Sequence, residues 1–359
     1  MPRITITLVA AALLVVGLPG SARAQTRQAI WQTGIEAFEA HNFAAAERAF
    51  SRLVRIDASG RNYGYLAMAE AANGELDRAI AAFKKSIQLG NHMPSVYYNL
   101  GLAYIQERQP EAAIHEFRKA VEVDPKYPAA RYALGVALMS AGRATEASRV
   151  FTQARALSPQ DPRLWAGLAN AQFEGGNSRQ AVETAQNAIQ AIPNNPRLAV
   201  TLASLCLNHH QIQAARDLLE DANELMPQNA EIRILLARTS LAAGEPVEAL
   251  AVLRDLPVSG QEQEAEKLAL TGKAQAMTGN LAAAQEDLAS AVNDSPENAQ
   301  YLTTDAWIWQ LRGQHDEAIK VLAKAQALDP KAPVIPYRLA VSYYFLHQYA
   351  QVQQSCHEA

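Results

Sequence analysis

The sequence predicts an all-α solenoid in which one helix–turn–helix unit recurs along 359 residues. Three observations predict it. Small residue, alanine, large apolar residue, alanine and proline return about every 34 residues. Gly101, Ala113, Phe117, Ala120 and Pro125 come back as Gly135, Ala147, Phe151, Ala154 and Pro159, and later as Ala203, Ala215, Leu219, Ala222 and Pro227. The punctuation keeps the same register. Pro94, Pro128, Pro162, Pro196 and Pro333 stand where a first helix begins, where the missing N–H is not needed. Pro125, Pro159 and Pro330 follow second helices and push the preceding residue out of the helical region. Finally, the register runs from about residue 27 to the end, leaving no stretch for a separate catalytic domain.

Residues 1–24 read as a secretory signal peptide. Arg3 gives the positive start, residues 4–18 form an uncharged apolar run, and Ala22-Arg23-Ala24 is a small-x-small cleavage site. The run is shorter than the roughly 20 residues of a membrane span, so no stable span is expected after cleavage. The repeats then fall at 27–59, 60–93, 94–127, 128–161, 162–195, 196–229, 230–264, 265–298, 299–332 and 333–359. The first two lack the closing proline. The seventh has Pro257 early and a polar run over 259–264, which makes 257–264 the expected hinge. The tenth stops within its second helix, which would also suit a piece of a longer polypeptide.

Within each unit the local signals agree. Asp161, Asn195, Asn229 and Asn298 precede first helices as N-caps. A left-handed residue is expected between the two helices. Gly74, Gly142, Gly176, Gly244, Gly279 and Gly313 occupy that place, as do His41, His210 and His347. Ala46, Ala79, Ala113, Ala147, Ala181, Ala215, Ala249, Ala284 and Ala318 share one place in the second helix. Gly or Ala fills the facing place in every first helix, from Gly34 to Ala340, so the two helices are expected to approach closely there. Cys206 and Cys356 lie more than four repeats apart, too far to bridge within one array, and Cys206 falls at a core place.

These residues resemble the tetratricopeptide repeat family, whose 34-residue unit carries Trp or another large residue, Leu, Gly/Ala, Tyr, Ala, Phe, Ala and Pro at set places. Tyr97, Leu100, Gly101, Tyr104, Ala113, Phe117, Ala120 and Pro125 match all eight. Trp165, Leu168, Ala169, Ala181, Ala188 and Pro193 match too, with Gln172 and Ala185 at the Tyr and Phe places.

The resemblance implies a superhelix whose first helices line a concave groove, with the second, fifth, ninth and twelfth places facing it. Early places are mostly apolar: Trp31, Ile35, Phe38, Met68, Tyr98, Leu102, Ile105, Tyr132, Val136 and Met139. Later places turn polar: Arg163, Asn170, Arg197, Arg238 and Lys273. An extended partner segment is expected there, its apolar side chains on the early repeats and acidic groups near the arginines. Tyr98 and Tyr132 equally suit packing. No lysine sits at a fifth place, so the clamp of chaperone-binding relatives for a partner's C-terminal carboxylate is not expected.

The chain is 19% charged with net charge -4, which gives no broad basic face for nucleic acid. No phosphate-binding, dinucleotide, CxxC or HExxH motif occurs; His115-Glu116 has Lys119 where a second zinc histidine belongs. No enzyme activity, cofactor or metal is expected. The resulting expectation is a protein-interaction scaffold, periplasmic or secreted. The alternative is a structural accessory subunit of an envelope, secretion or polysaccharide-export machine. Trp307, Trp309, Tyr337, Tyr343, Tyr344 and Phe345 make the C-terminal end aromatic, and self-association through that repeat is the other open possibility.

Overall fold

The computed structural model describes residues 22–358, so most of the proposed signal peptide lies outside the described residues. Every regular element among them is an α-helix. In pairs of first and second helix they run α1 (Ala22–Glu39) with α2 (Phe43–Ile56), α3 (Gly60–Ala72) with α4 (Leu76–Gln88), α5 (Pro94–Gln106) with α6 (Pro110–Val123), α7 (Pro128–Ser140) with α8 (Ala144–Leu157), and α9 (Pro162–Glu174) with α10 (Ser178–Ala191). Next come α11 (Pro196–Asn208) with α12 (Ile212–Leu225), α13 (Ala230–Ala242) with α14 (Pro246–Leu253), and α15 (Gln261–Met277) with α16 (Leu281–Asp294). The last pairs are α17 (Ala299–Leu311) with α18 (His315–Leu328), and α19 (Val334–Phe345) with α20 (Tyr349–Glu358). The chain divides into two compact units, Met1–Thr184 and Ala185–Ala359.

Each turn inside a pair is closed the same way. His41, at φ 57°, donates to Phe38 O at 3.0 Å, and Asn42 donates to Ala37 O at 2.8 Å. This reciprocal pattern satisfies the last carbonyls of the first helix. The expected glycines and histidines all take positive φ, and Arg108, at φ 57°, does so at the one junction where neither residue type marks it. The N-caps form as expected: Asn195 Oδ1 accepts from Leu198 N at 3.0 Å, and Asn229 Oδ1 accepts from Ile232 N at 3.0 Å.

The repeated alanines from Ala46 to Ala318 are all fully buried. Three of the facing glycines work differently from the expected small-on-small contact. A Cβ on Gly34, Gly101 or Gly135 would meet not an alanine but the ring of Phe50, Phe117 or Phe151, at 2.5, 2.6 and 2.5 Å. Gly167 also opens a notch for Phe151, whose Cε1 would lie 2.8 Å from its Cβ. At Gly272 the expected close approach is found, the neighbour being the backbone oxygen of the repeated alanine Ala284, at 2.9 Å. Glycine is therefore used where a ring or a backbone needs the volume that a Cβ would take.

In the first unit these contacts build two apolar clusters, one around Phe50 and one running from Ala67 to Ala171. The first helices also touch each other, α3 with α5 and α7 with α9. In the second unit α11, α13, α15, α17 and α19 contact in succession. The proposed hinge at 257–264 consists of four loop residues followed by the first turn of α15, because 261–264 is helical. Pro257 helps to keep the second helix of that repeat to eight residues. Lys267 Nζ then ties the loop down by donating to Leu256 O at 3.1 Å. Cys206 is a free, buried thiol, pushed up to about 11 by burial, and Cys356 is free and exposed.

Candidate protein-interaction surfaces

The first-helix faces of the first unit are apolar, but most of that surface is already used. Ile35, Phe38 and Leu102 are buried in the clusters and present no open side chain. This corrects their reading as open groove residues: neighbouring helices cover them, so they hold repeats together. Trp31, Met68, Tyr98, Ile105, Tyr132 and Met139 are half-buried against the same clusters. Trp31 meets Tyr65 edge-on at 6.0 Å, and Tyr98 packs on Phe117 and Tyr127 at 5.9 and 5.5 Å. Val136 differs. It is 41% exposed on α7, whereas Leu102, at the same place one repeat earlier, is 5% exposed. A cleft of about 350 Å³ opens beside it, lined by Met139, Ser140, Gly142, Ala144, Asn170 and Glu174.

The polar places are less available than their sequence suggests. Arg163 binds Asp161 through Nε and Nη2 at 3.0 and 2.7 Å, and lies 5.0 Å over the Tyr132 ring. The Arg163 guanidinium holds the Asp161 carboxyl below its ordinary range. In the second unit Arg238 pairs with Glu266 of the next first helix. Both arginines thus already have a carboxylate of this chain where a partner's acidic group was expected. Arg197 is exposed, with no ion pair of its side chain among the described residues.

A cleft of about 640 Å³ opens in the second unit between α13, α15 and α17. Arg238, Glu262, Glu266, Lys273, Tyr301 and Thr304 are among its lining. Burial first, and the charge of Arg338 second, pull Lys273 below the ordinary lysine range. Arg338 is itself half-buried, with its guanidinium 5.6 Å over the Trp307 ring. Gln310 anchors it twice: Oε1 accepts from Nη1 at 3.2 Å, and Nε2 donates to the Arg338 carbonyl at 2.7 Å. Sequence reasoning singled out Lys273 but missed Arg338 as its neighbour. Trp307 occupies a ninth place, so the same rule reaches it, whereas Arg338 sits at a sixth place and only the packing of α19 on its neighbours brings it in.

A family profile described as the C-terminal domain of cilia and flagella-associated protein 70, a tetratricopeptide repeat (TPR) domain, matches residues 21–270. A second, described as tetratricopeptide repeat, matches 270–333. The chain belongs to the TPR family. Among solved structures, MamA is similar to this TPR protein with a TM-score of 0.44 and 22% identity, over 47% of this chain and 92% of that one. A tetratricopeptide repeat protein from Parabacteroides merdae has a TM-score of 0.48 and 15% identity, over 75% and 99%. Pseudomonas aeruginosa pilF has a TM-score of 0.44 and 18% identity, over 61% and 100%. No curated protein matches the chain in sequence.

Proposed function

We propose that this TPR protein is a non-enzymatic scaffold of an extracytoplasmic space that holds an extended segment of a partner protein against its first-helix faces. TPR proteins bind proteins or peptides. The observation that carries the reading here is Val136, an open apolar side chain between Tyr132 and Met139, beside a cleft that Asn170 also lines. An apolar residue of the partner would cover Val136. Its backbone would then exchange hydrogen bonds with the Asn170 amide, which takes no partner among the described residues. Export is supported by the make-up of residues 1–24, a positive start, an apolar run and a small-x-small end.

The test is a crosslinking pull-down from an envelope extract with the full chain and its Val136→Glu variant, the fold of both checked by circular dichroism. Capture by the native chain and loss with the variant support the reading; equal capture by both refutes it. N-terminal sequencing of the expressed protein checks export, with Gln25 expected as the first residue.

One observation favours the structural-accessory alternative. Tyr337, Tyr344, Phe345 and Tyr349 are mostly exposed at the C-terminal repeat, Tyr344 at 59%. Capture or self-association that survives Val136→Glu but is lost on Tyr344→Ser would support docking through this end.

A further inference from the structure

One place on the first-helix faces of the second unit carries unbalanced charge. The Lys273 ammonium is half-buried at the 640 Å³ cleft, and no carboxylate binds it among the described residues. Glu266, one of the acids in the lining, is committed to Arg238. The neighbouring charge that acts on Lys273 is another cation, Arg338. Among the described residues Arg338 meets no carboxylate either: it lies over Trp307 and donates to the neutral Gln310, and its buried Nε has no acceptor. Trp307 stands three residues beyond Thr304 on α17, on the same face as the cleft lining.

Two partly desolvated like charges repel more strongly than they would in water, and a buried donor without an acceptor is costly. An anion beside the two cations would relieve their repulsion. The lining narrows its kind. Glu262, Glu266 and Asp294 border the same cleft and would repel a multiply charged anion such as a phosphate, whereas a single negative charge on a flat group meets less opposition. Gln300, Tyr301 and Thr304 offer polar side chains to an extended backbone beside it.

We propose that Lys273 and Arg338 form a receptor for one carboxylate, supplied by an acidic side chain of an extended protein segment. The proposal rests on the scaffold reading above and adds the chemistry of one contact.

The test uses the full chain with its lysines reductively ¹³C-methylated, which keeps their charge. The Lys273 resonance is assigned by its loss in Lys273→Arg. The probes are a capped pentapeptide, Ala-Ala-Glu-Ala-Ala, its Gln counterpart, and inorganic phosphate. The Glu peptide is expected to shift the Lys273 signal and raise its titration midpoint, and the Gln peptide to leave it in place. Arg338→Gln should weaken the Glu response about tenfold, as the loss of one charge-assisted contact does. If that variant fails to fold, Arg338→Lys replaces it, and loss of the forked geometry should still weaken the response. A signal that ignores the Glu peptide, answers both peptides equally, or answers phosphate alone overturns the proposal. Its failure leaves Val136-dependent capture intact, so the two readings fail separately.

Discussion

A Cβ on Gly101 would stand 2.6 Å from Cε1 of Phe117, so the ring of Phe117 fills the volume that the glycine leaves empty. The same exchange links Gly34 with Phe50 and Gly135 with Phe151. Other repeats carry the smaller pairing, Ala203 with Leu219, Ala237 with Leu253 and Ala306 with Leu322, all buried. Ala67 coexists with Phe83, and both are fully buried.

Gly101→Ala should therefore destabilise the first unit by about 1–2 kcal/mol, overpacking outweighing the helix propensity that alanine adds. The double variant Gly101→Ala/Phe117→Leu should recover part of that loss, because it recreates the Ala–Leu pairing. Urea midpoints of the two singles and the double, arranged as a double-mutant cycle, read the coupling. Additive effects would show that the ring and the glycine are independent.

Ala147 is fully buried at its place in α8. Leucine there has no room, and Ala147→Leu should cost about 1–3 kcal/mol. An unchanged melting temperature would contradict the assigned register.

Arg108 holds φ 57°, a left-handed conformation that costs an L-residue about 1–2 kcal/mol. Its side chain is exposed and forms no ion pair among the described residues. Arg108→Gly should stabilise the chain by about 0.5 kcal/mol, the gain being reduced by the extra freedom glycine has when unfolded. Thermal denaturation of the two proteins side by side checks the sign.

Asp305 stands in α17 where other repeats have a core leucine, such as Leu168 or Leu202. It is buried, accepting from Gln285 Nε2 at 2.5 Å and Trp309 Nε1 at 3.3 Å. Burial pushes its carboxyl above the ordinary range, outweighing both hydrogen bonds. A raised carboxyl favours folding below its unfolded value and loses that contribution as pH rises through the folded value. Asp305→Asn should thus stabilise the second unit at pH 7 by on the order of 1 kcal/mol, and the difference should shrink as pH falls toward 4. A melting-temperature series across that range measures it; a gap that widens on acidification would contradict the assignment.

Much of the fold is legible in the sequence because period, caps and turn residues repeat the same instruction. Nine junctions carry a glycine or histidine that announces the left-handed turn. Arg108 announces nothing, because the turn is imposed there by the helices on either side. The surface is less legible. Periodicity tells which face a residue occupies but not how deep it lies, and depth depends on side chains from helices a whole repeat away. Leu102 and Val136 share a place, yet one is core and the other open. Arg163 and Arg238 look like invitations to an acidic partner until the folded chain supplies Asp161 and Glu266. The charge of Arg338 acts on Lys273 only through the packing of successive repeats, which no single repeat encodes.

The ring of Phe151 sits in two notches at once, one cut by Gly135 in its own repeat and one by Gly167 in the next. It works like a rivet through adjoining plates. Neither repeat opens without drawing the ring out of the other, so the two should fray together rather than in turn. In a linear array, where each unit touches only its neighbours, such a shared side chain lengthens the segment that melts as one, and hydrogen exchange should give α7 and α9 matching protection.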